Sequence, residues 1–471
     1  MASRTRREFF SSMVDGVHGA ALATLLGSEL ARAAAPTFDL QPKPAHFPGK
    51  AKAVIHLFMN GGPSQVDLFD PKPALTRLAG TTPGRELSFA ISNGADPGLL
   101  MPSPFTFAKY GKSGMEISSA LPHLAAGCAD DIAVIRSMYG EHANHEPALF
   151  LMHTGRTIAS RPSMGSWVAY GLGTENRNLP AYVVLDDPKG LPINGISNWQ
   201  SAWLPPIYQG TRFRTEGAAV LNLQPREEIP TQLVEAERSL IARLDAAHRE
   251  NRPFQPELDA RISSYELAAR MQMAASDALD LNKESEATRE AYGLNEAATQ
   301  SYGKRCLMAR RLVERGVRFV QLYIESQIFD SHGDLQSSLN YACGKTDKPV
   351  AALLKDLKQR NLLDSTLVIW GGEFGRLPIS QGPPKAAGRD HGPNGFSLWM
   401  AGGGVKGGTV YGETDDLGFK AAENRVSVHD FHATMLHLLG MNHRELTLER
   451  NGLNERLTDQ FPARVVKEII A

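Results

Sequence analysis

Four residues, Leu367-Val368-Ile369-Trp370, constrain the fold of this chain more than any other run in it. They are apolar, rich in β-formers and bounded by turn residues. That is the pattern of a short strand buried on both faces, and such strands belong to parallel sheets covered by helices. The run stops at Gly371-Gly372, where the backbone takes conformations closed to other residues, so Glu373 arrives at the carboxyl end of a buried strand. Open α/β sheets bind their ligands at that edge. Within residues 364–395 there follow Arg376 and a Pro/Gly-rich loop ending in Arg389-Asp390-His391-Gly392. Alone, this reads equally as a capping glutamate and a polar turn. A second acid–histidine group, Asp330-Ser331-His332-Gly333-Asp334, also lies just past a strand, read over 317–325. Two such groups after two strands point to a metal site of oxygen and nitrogen ligands.

The rest of the chain supplies more strands of the same kind. Residues 53–60 form the first and run into Gly61-Gly62-Pro63-Ser64, which places Asp67 within a turn of its carboxyl end as a candidate ligand. Asp70 before Pro71 reads as a helix N-cap. The strand at 131–138 leads into Glu141, His142, His145 and Glu146, two histidines three apart and flanked by acids, a spacing suited to ligation or proton transfer. Further strands are read at 178–187 and 396–401, and a long surface excursion at 81–112. A helix predicted over 349–361 joins two buried strands by a parallel crossover, which puts Asp330, His332 and Glu373 on one sheet edge. Apolar residues at helical spacing, among them Leu233, Leu240, Ile241, Leu244 and Ile262, predict a helical insertion at about 227–300, packed beside the sheet as a hairpin or cap. The helix at 428–439 carries His429 and His432 among apolar neighbours, a structural placement, and the tail at 446–471 reads as holding one more helix.

Composition narrows the function classes. A chain of 471 residues allows one large α/β domain or two to three ordinary ones. With 50 Lys and Arg against 51 Asp and Glu, interspersed, nothing resembles a nucleic-acid footprint. Cys128, Cys306 and Cys343 fit no paired spacing, which predicts buried free thiols. No apolar run reaches the roughly 20 residues of a membrane-spanning helix, so an integral membrane protein is not expected. Thr5-Arg6-Arg7-Glu8-Phe9-Phe10, a weakly apolar segment to Leu30 and small residues to Ala35 have the layout of a twin-arginine leader over 1–35. This predicts engagement of the twin-arginine export machinery, cleavage near Ala35 and a periplasmic or extracellular location for residues 36–471. That route carries folded proteins, often already loaded with a cofactor.

The stretches TRREFF, GGPSQVDLFDPKP, HANHEPALFLMHTG, FDSHGDL, LVIWGGEFGR, GRDHGPNGFSLWMAGGG and VHDFHATMLHLLG together resemble the domain-of-unknown-function 1501 family, exported bacterial proteins related to sulfatases and alkaline phosphatases. The resemblance implies an alkaline-phosphatase-like α/β fold, a mainly parallel sheet flanked by helices with an inserted helical segment. It also implies one or two divalent ions, Ca, Zn, Mg or Mn, at the strand ends. Asp67, Asp330, His332, Glu373 and His391, the last with Asp390 beside it, fall where the superfamily has ligands. The run from His145 to Gly155 is similar to the sulfatase nucleophile element. Pro147, Thr154 and Gly155 are in register, but His145 holds the nucleophile's place and Ala148-Leu149 replace its Ser-Arg pair. Formylglycine chemistry and a serine nucleophile are therefore excluded at this position.

The resulting expectation is a metal-dependent hydrolase of sulfate or phosphate esters, acting on a small ester or a polysaccharide. A metal-bound water or His145 would be the nucleophile or base, with His142 as a second proton-transfer group. Arg376 or Arg389 would hold the tetrahedral anion, because a guanidinium fork matches its oxygens. The alternative is a non-catalytic periplasmic binding or scaffolding protein on a decayed hydrolase fold. A retained ligand set favours the enzyme, because decay removes ligands together with the nucleophile.

Overall fold

The computed structural model describes residues 38–84, 98–216, 230–252 and 255–471, so the leader expected over 1–35 lies outside the described residues. The chain divides into two compact units, one formed by Leu40–Gln224 with Glu266–Ala471, the other including Pro225–Tyr265. No described helix is long and apolar enough to cross a membrane. All three cysteines are buried and free.

The first unit is built on a nine-stranded sheet. Its strands are β1 (Ala53–Phe58), β2 (Ile132–Tyr139), β3 (Tyr182–Leu185), β4 (Thr211–Phe213), β5 (Phe319–Tyr323), β6 (Thr366–Gly371), β7 (Phe396–Ala401), β8 (Thr409–Tyr411) and β9 (Val426–Ser427). The order is β8-β2-β7-β6-β1-β5-β3-β4, with β9 also paired to β2. Every pairing is parallel except those of β7, which runs against β6 and β2. Register brings Phe58 of β1 opposite Tyr323 of β5 and Gly371 of β6, so three buried strands end in one row. The loops that follow all leave from the same edge.

Helices flank this sheet: α1 (His145–Thr154), α2 (Met164–Leu172), α5 (Gln300–Glu314), α6 (Leu335–Gln359) and α7 (Val428–Leu438). The alternation of a strand sends Ile55 and Leu57 of β1, with Val320, Leu322, Val368 and Trp370, into one apolar cluster. Leu307 and Leu312 of α5 and Leu339, Leu353 and Leu354 of α6 close it from the helix side. At about 1.5–3 kcal/mol for each side chain fully buried, this face is the main source of cohesion. Helix α6 is longer than expected. It starts at Leu335 and passes through Pro349, because its apolar side chains outweigh the one backbone hydrogen bond that a proline removes.

Other expectations also need correction. Asp70 does not cap a helix: the turn after it starts at Pro73, and Asp70 instead accepts from Thr414 and pairs with Lys72 at 3.0 Å. Residues 446–471 form a hairpin, Leu448–Arg450 with Leu453–Glu455, and a single 3₁₀ turn. The insertion holds helices α3 (Thr231–Glu250) and α4 (Pro256–Leu279), and Leu233, Leu240, Ile241 and Leu244 of α3 are exposed.

The opposite face of β1 is polar at its centre. His56, His153 of α1 and His432 of α7 have no exposed surface. His153 Nδ1 donates to the Leu149 carbonyl at 2.7 Å, its Nε2 accepts from the Tyr323 hydroxyl at 2.9 Å, and His432 Nε2 donates to the Met152 carbonyl at 2.8 Å. Among the described residues, neither ring nitrogen of His56 has a hydrogen-bond partner. Burial lowers all three imidazoles, His153 to about 4 and His432 to about 3. Below the ordinary value of 6.5 the unfolded chain therefore binds protons that the folded chain refuses, and stability falls as pH drops from about 6.5 toward 4. At pH 5 His153 and His432 should together cost about 4 kcal/mol relative to neutral pH, with His56 acting in the same direction. Denaturant unfolding at pH 7 and pH 5, compared with His153→Asn, would show it. An equal acid loss in that variant removes His153 from the account.

Candidate metal centre

Three segments leave the row of strand ends and meet. After β6, Gly371-Gly372 turns the chain so that Glu373, 2% exposed, accepts from the Gly61 amide at 2.9 Å. Gly61 has φ 103°, and a Cβ there would stand 2.5 Å from the Asp330 amide, so only glycine lets the β1 turn come this close to the Asp330 loop. Residues Gly375-Arg376 then pair antiparallel with His391-Gly392, a two-stranded ribbon that carries His391 back to the site. The third segment is α1, whose first residue is His145 and which ends at Gly155 in a left-handed conformation.

Side chains converge on Asp330. His332 Nε2 lies 2.9 Å and His391 Nε2 3.2 Å from its Oδ1, and His145 Nε2 lies 3.3 Å from its Oδ2. The two ring nitrogens of His332 and His391 are 2.9 Å apart. Each imidazole is tied at its far nitrogen to an acceptor. His145 Nδ1 donates to Glu373 at 2.7 Å, His391 Nδ1 to the Ala143 carbonyl at 2.6 Å, and His332 Nδ1 to the Gln381 side-chain oxygen. These bonds fix the tautomer, so every neutral imidazole turns an unprotonated Nε2 inward. Metal-binding histidines are held by outer partners in this way.

Charge follows from the geometry. Burial alone would lower His145, but the Asp330 and Glu373 carboxylates outweigh it and push the imidazole up to about 9. His332 is raised, chiefly by Asp330, while burial lowers His391. Burial also opposes ionisation of Asp330, yet the three imidazoles and the Arg376 guanidinium hold it far below the usual carboxylate range. Among the described residues, buried His145 Nε2 finds no hydrogen-bond partner even with Asp330 beside it, and neither does buried Glu373 Oε2.

These residues fit a divalent ion. Donors about 2.1 Å from one ion stand about 3.0 to 3.4 Å apart in tetrahedral or octahedral arrangements, and the separations above fall close to that. Among the described residues two groups qualify, His145 with Asp330 and His391, and His332 with Asp390 and His391, so His391 adjoins both. Five of the expected residues therefore meet: His145, Asp330, His332, Asp390 and His391. Glu373 stands behind His145 as its orienting partner and is in neither group.

Glu373 is thus not placed as the expected ligand, and four further expectations are not met. Asp67 is fully buried and bidentate with Arg389, 2.7 Å from Nε and 3.0 Å from Nη2, so it faces a guanidinium and joins no ligand group. Arg389 is thereby sealed. Arg376, also fully buried, spends its fork on the Gly61 and Gly62 carbonyls, the Arg389 carbonyl and Asp330 Oδ1 at 2.5 Å. Neither arginine is free to hold an anion. His142 is exposed, and its Nδ1 accepts from the Asn144 amide at 3.0 Å. The residue not anticipated is Gln381. A lone glutamine in a Pro/Gly-rich loop carries no signal in the sequence, and only the fold shows that it orients His332.

Residues 51–470 match the family described as "Protein of unknown function (DUF1501)". No curated protein sequence matches the chain. Among solved structures, a phosphonate monoester hydrolase from Silicibacter pomeroyi is 10% identical, with 89% of this chain and 76% of that one covered at a TM-score of 0.37. The alkaline phosphatase of the Antarctic bacterium TAB5 is 11% identical, with coverages of 83% and 98% and a TM-score of 0.32. The PsFucS1 sulfatase from Pseudoalteromonas sp. is 11% identical, with coverages of 83% and 68% and a TM-score of 0.31.

Proposed function

We propose that this chain, which belongs to the DUF1501 family over residues 51–470, is an exported divalent-metal-dependent hydrolase of phosphate or sulfate esters. The observation that carries the reading is the set of three imidazoles, each anchored at Nδ1 and aimed with Nε2 at one carboxylate. A decayed site would be expected to lose such outer anchors along with its ligands, so the binding or scaffolding alternative is the weaker one. The nitrogen-rich donor set suits zinc or a neighbouring transition metal better than Ca or Mg, which prefer oxygen cages.

A divalent ion held here would supply a water of lowered pKa and a Lewis acid for the ester oxygen. The protein's own groups do the rest. Glu373 keeps the Nδ1 proton of His145 and sets that ring's direction. Asp330, fixed by Arg376, supplies the negative charge around which the ligands gather. The Phe374 ring lies 4.9 Å from His145 and 4.6 Å from His391 and shields their inner side from water. His332 is the most exposed of the three rings, so an ester would reach the centre from its side.

The anchoring of Nδ1 by Glu373 and the nearness of Nε2 to Asp330 support a ligand role for His145 over that of a free nucleophile. His145→Ala should lower metal content, by elemental analysis of the purified protein, and hydrolysis of aryl phosphates and sulfates about a hundredfold or more. Turnover lost with metal retained would return His145 to the part of general base. Absence of metal from the wild-type protein would remove the proposal.

A further inference from the structure

A phosphate or sulfate ester brings negative charge to the centre. With two arginines sealed, the reading above lacks a protein cation to meet it. The segments that frame the centre are residues 140–146, 325–335 and 373–395. Along the sequence they hold three cationic side chains, Arg376, Lys385 and Arg389. Arg376 and Arg389 are fully buried and committed to Asp330, Asp67 and backbone carbonyls. Lys385 remains. It is exposed and makes no ion pair among the described residues.

Its place in the fold is close to the ligands. Gln381 and Gly388 exchange two backbone hydrogen bonds of 2.9 Å, forming the stem of a short loop with Lys385 near its tip. The loop folds onto the His332 segment. The Ala386 and Ala387 carbonyls accept from the amides of Asp334 and Leu335 at 3.0 and 3.1 Å, and a Cβ on Gly388 would stand 2.1 Å from the His332 carbonyl carbon. The stem residue Gln381 holds the His332 ring itself. Lys385 thus sits one residue from the backbone contact that docks this loop beside a ligand. A lysine suits the task, being a compact charge with rotatable donors on a flexible stem.

We infer that Lys385 holds the anionic group of the substrate ester at this centre. The inference rests on the hydrolase reading, and its test separates the two. With protein carrying the metal it is purified with, Lys385→Ala should raise KM for p-nitrophenyl phosphate and p-nitrophenyl sulfate about 10- to 100-fold, the worth of one charge-assisted contact. kcat should change much less, Lys385→Arg should retain most of the affinity, and metal content should be the same in every variant. Calorimetric titration with inorganic phosphate should show the same loss for Lys385→Ala, a larger one for Lys385→Glu, and a weaker salt dependence than in wild type. Phosphate binding that depends on Lys385 in a protein without turnover would sink the hydrolase reading and leave this one standing. Unchanged KM and phosphate affinity in Lys385→Ala would overturn the role of Lys385 alone. A wild-type protein that neither binds phosphate nor turns over would overturn both.

Discussion

Asp330→Ala should leave less than a tenth of the wild-type metal in the purified protein and no measurable ester hydrolysis. It should also cost folding stability that no other ligand variant costs. The first effect follows from the carboxylate's place among three Nε2 atoms at 2.9, 3.2 and 3.3 Å. Without it the group of His145 and His391 has no carboxylate, only Asp390 beside His332 and His391 keeps one, and a set with fewer charged donors holds a divalent ion less tightly. The second effect comes from Arg376. Its Nη2 is 2.5 Å from Asp330 Oδ1 in a side chain with no exposure at all, so removing the carboxylate strands a buried guanidinium. Breaking one side of a buried ion pair costs about 3–5 kcal/mol. Chelator-treated wild type supplies the reference, because it loses metal but keeps the Asp330–Arg376 pair. Asp330→Ala should unfold at clearly lower denaturant than that metal-free wild type. Equal midpoints would show that Arg376 draws its compensation from the Gly61 and Gly62 carbonyls, and retained metal would remove Asp330 from the ligand set.

The parts of this centre that the sequence made legible are those that local pattern controls. Apolar runs at 53–58, 319–323 and 366–371 each bury both faces, the usual pattern of parallel strands, although β7 buries both faces as well and runs antiparallel. A helix between two such runs then places their ends on one edge. Asp330, His332 and His391 could be named because each closely follows a glycine turn or strand end of this kind. What could not be read was which polar groups face inward together. Arg376 and Arg389 look like anion clamps in a linear string. Only in three dimensions does the former meet Asp330 and the latter Asp67, residues 46 and 322 positions away. Pairings of that sequence separation leave no local periodicity. The same holds for Gln381, and for Glu373, which as a carboxylate after a strand could have been ligand or orienting group until His145 was placed against it.

Arg389→Ala should be among the most destabilising single substitutions outside the apolar core. Asp67 and Arg389 have no exposed surface and meet through two parallel contacts of 2.7 and 3.0 Å, while the remaining guanidinium donors reach the Met101 and Pro102 carbonyls at 3.1 and 3.3 Å. Ser64 donates to the same carboxylate. Either half removed alone leaves the other charge buried, at about 3–5 kcal/mol. Arg389→Lys should recover little, since an ammonium cannot reproduce the fork. The double variant Asp67→Ala with Arg389→Ala should cost less than the sum of the single ones, because no uncompensated charge remains, and that shortfall measures the coupling directly. The pair matters to the centre through its position. Arg389 precedes Asp390 and His391, and its amide donates to the Ser331 carbonyl at 2.8 Å, so the lock fastens the strand of one ligand to the loop of two others. Metal content should therefore fall in the single variants only as far as the fold loosens, and should recover when a stabilising osmolyte restores folding. Metal lost from Asp67→Ala at unchanged stability would instead restore Asp67 to the ligand set and place an ion where the guanidinium of Arg389 now stands.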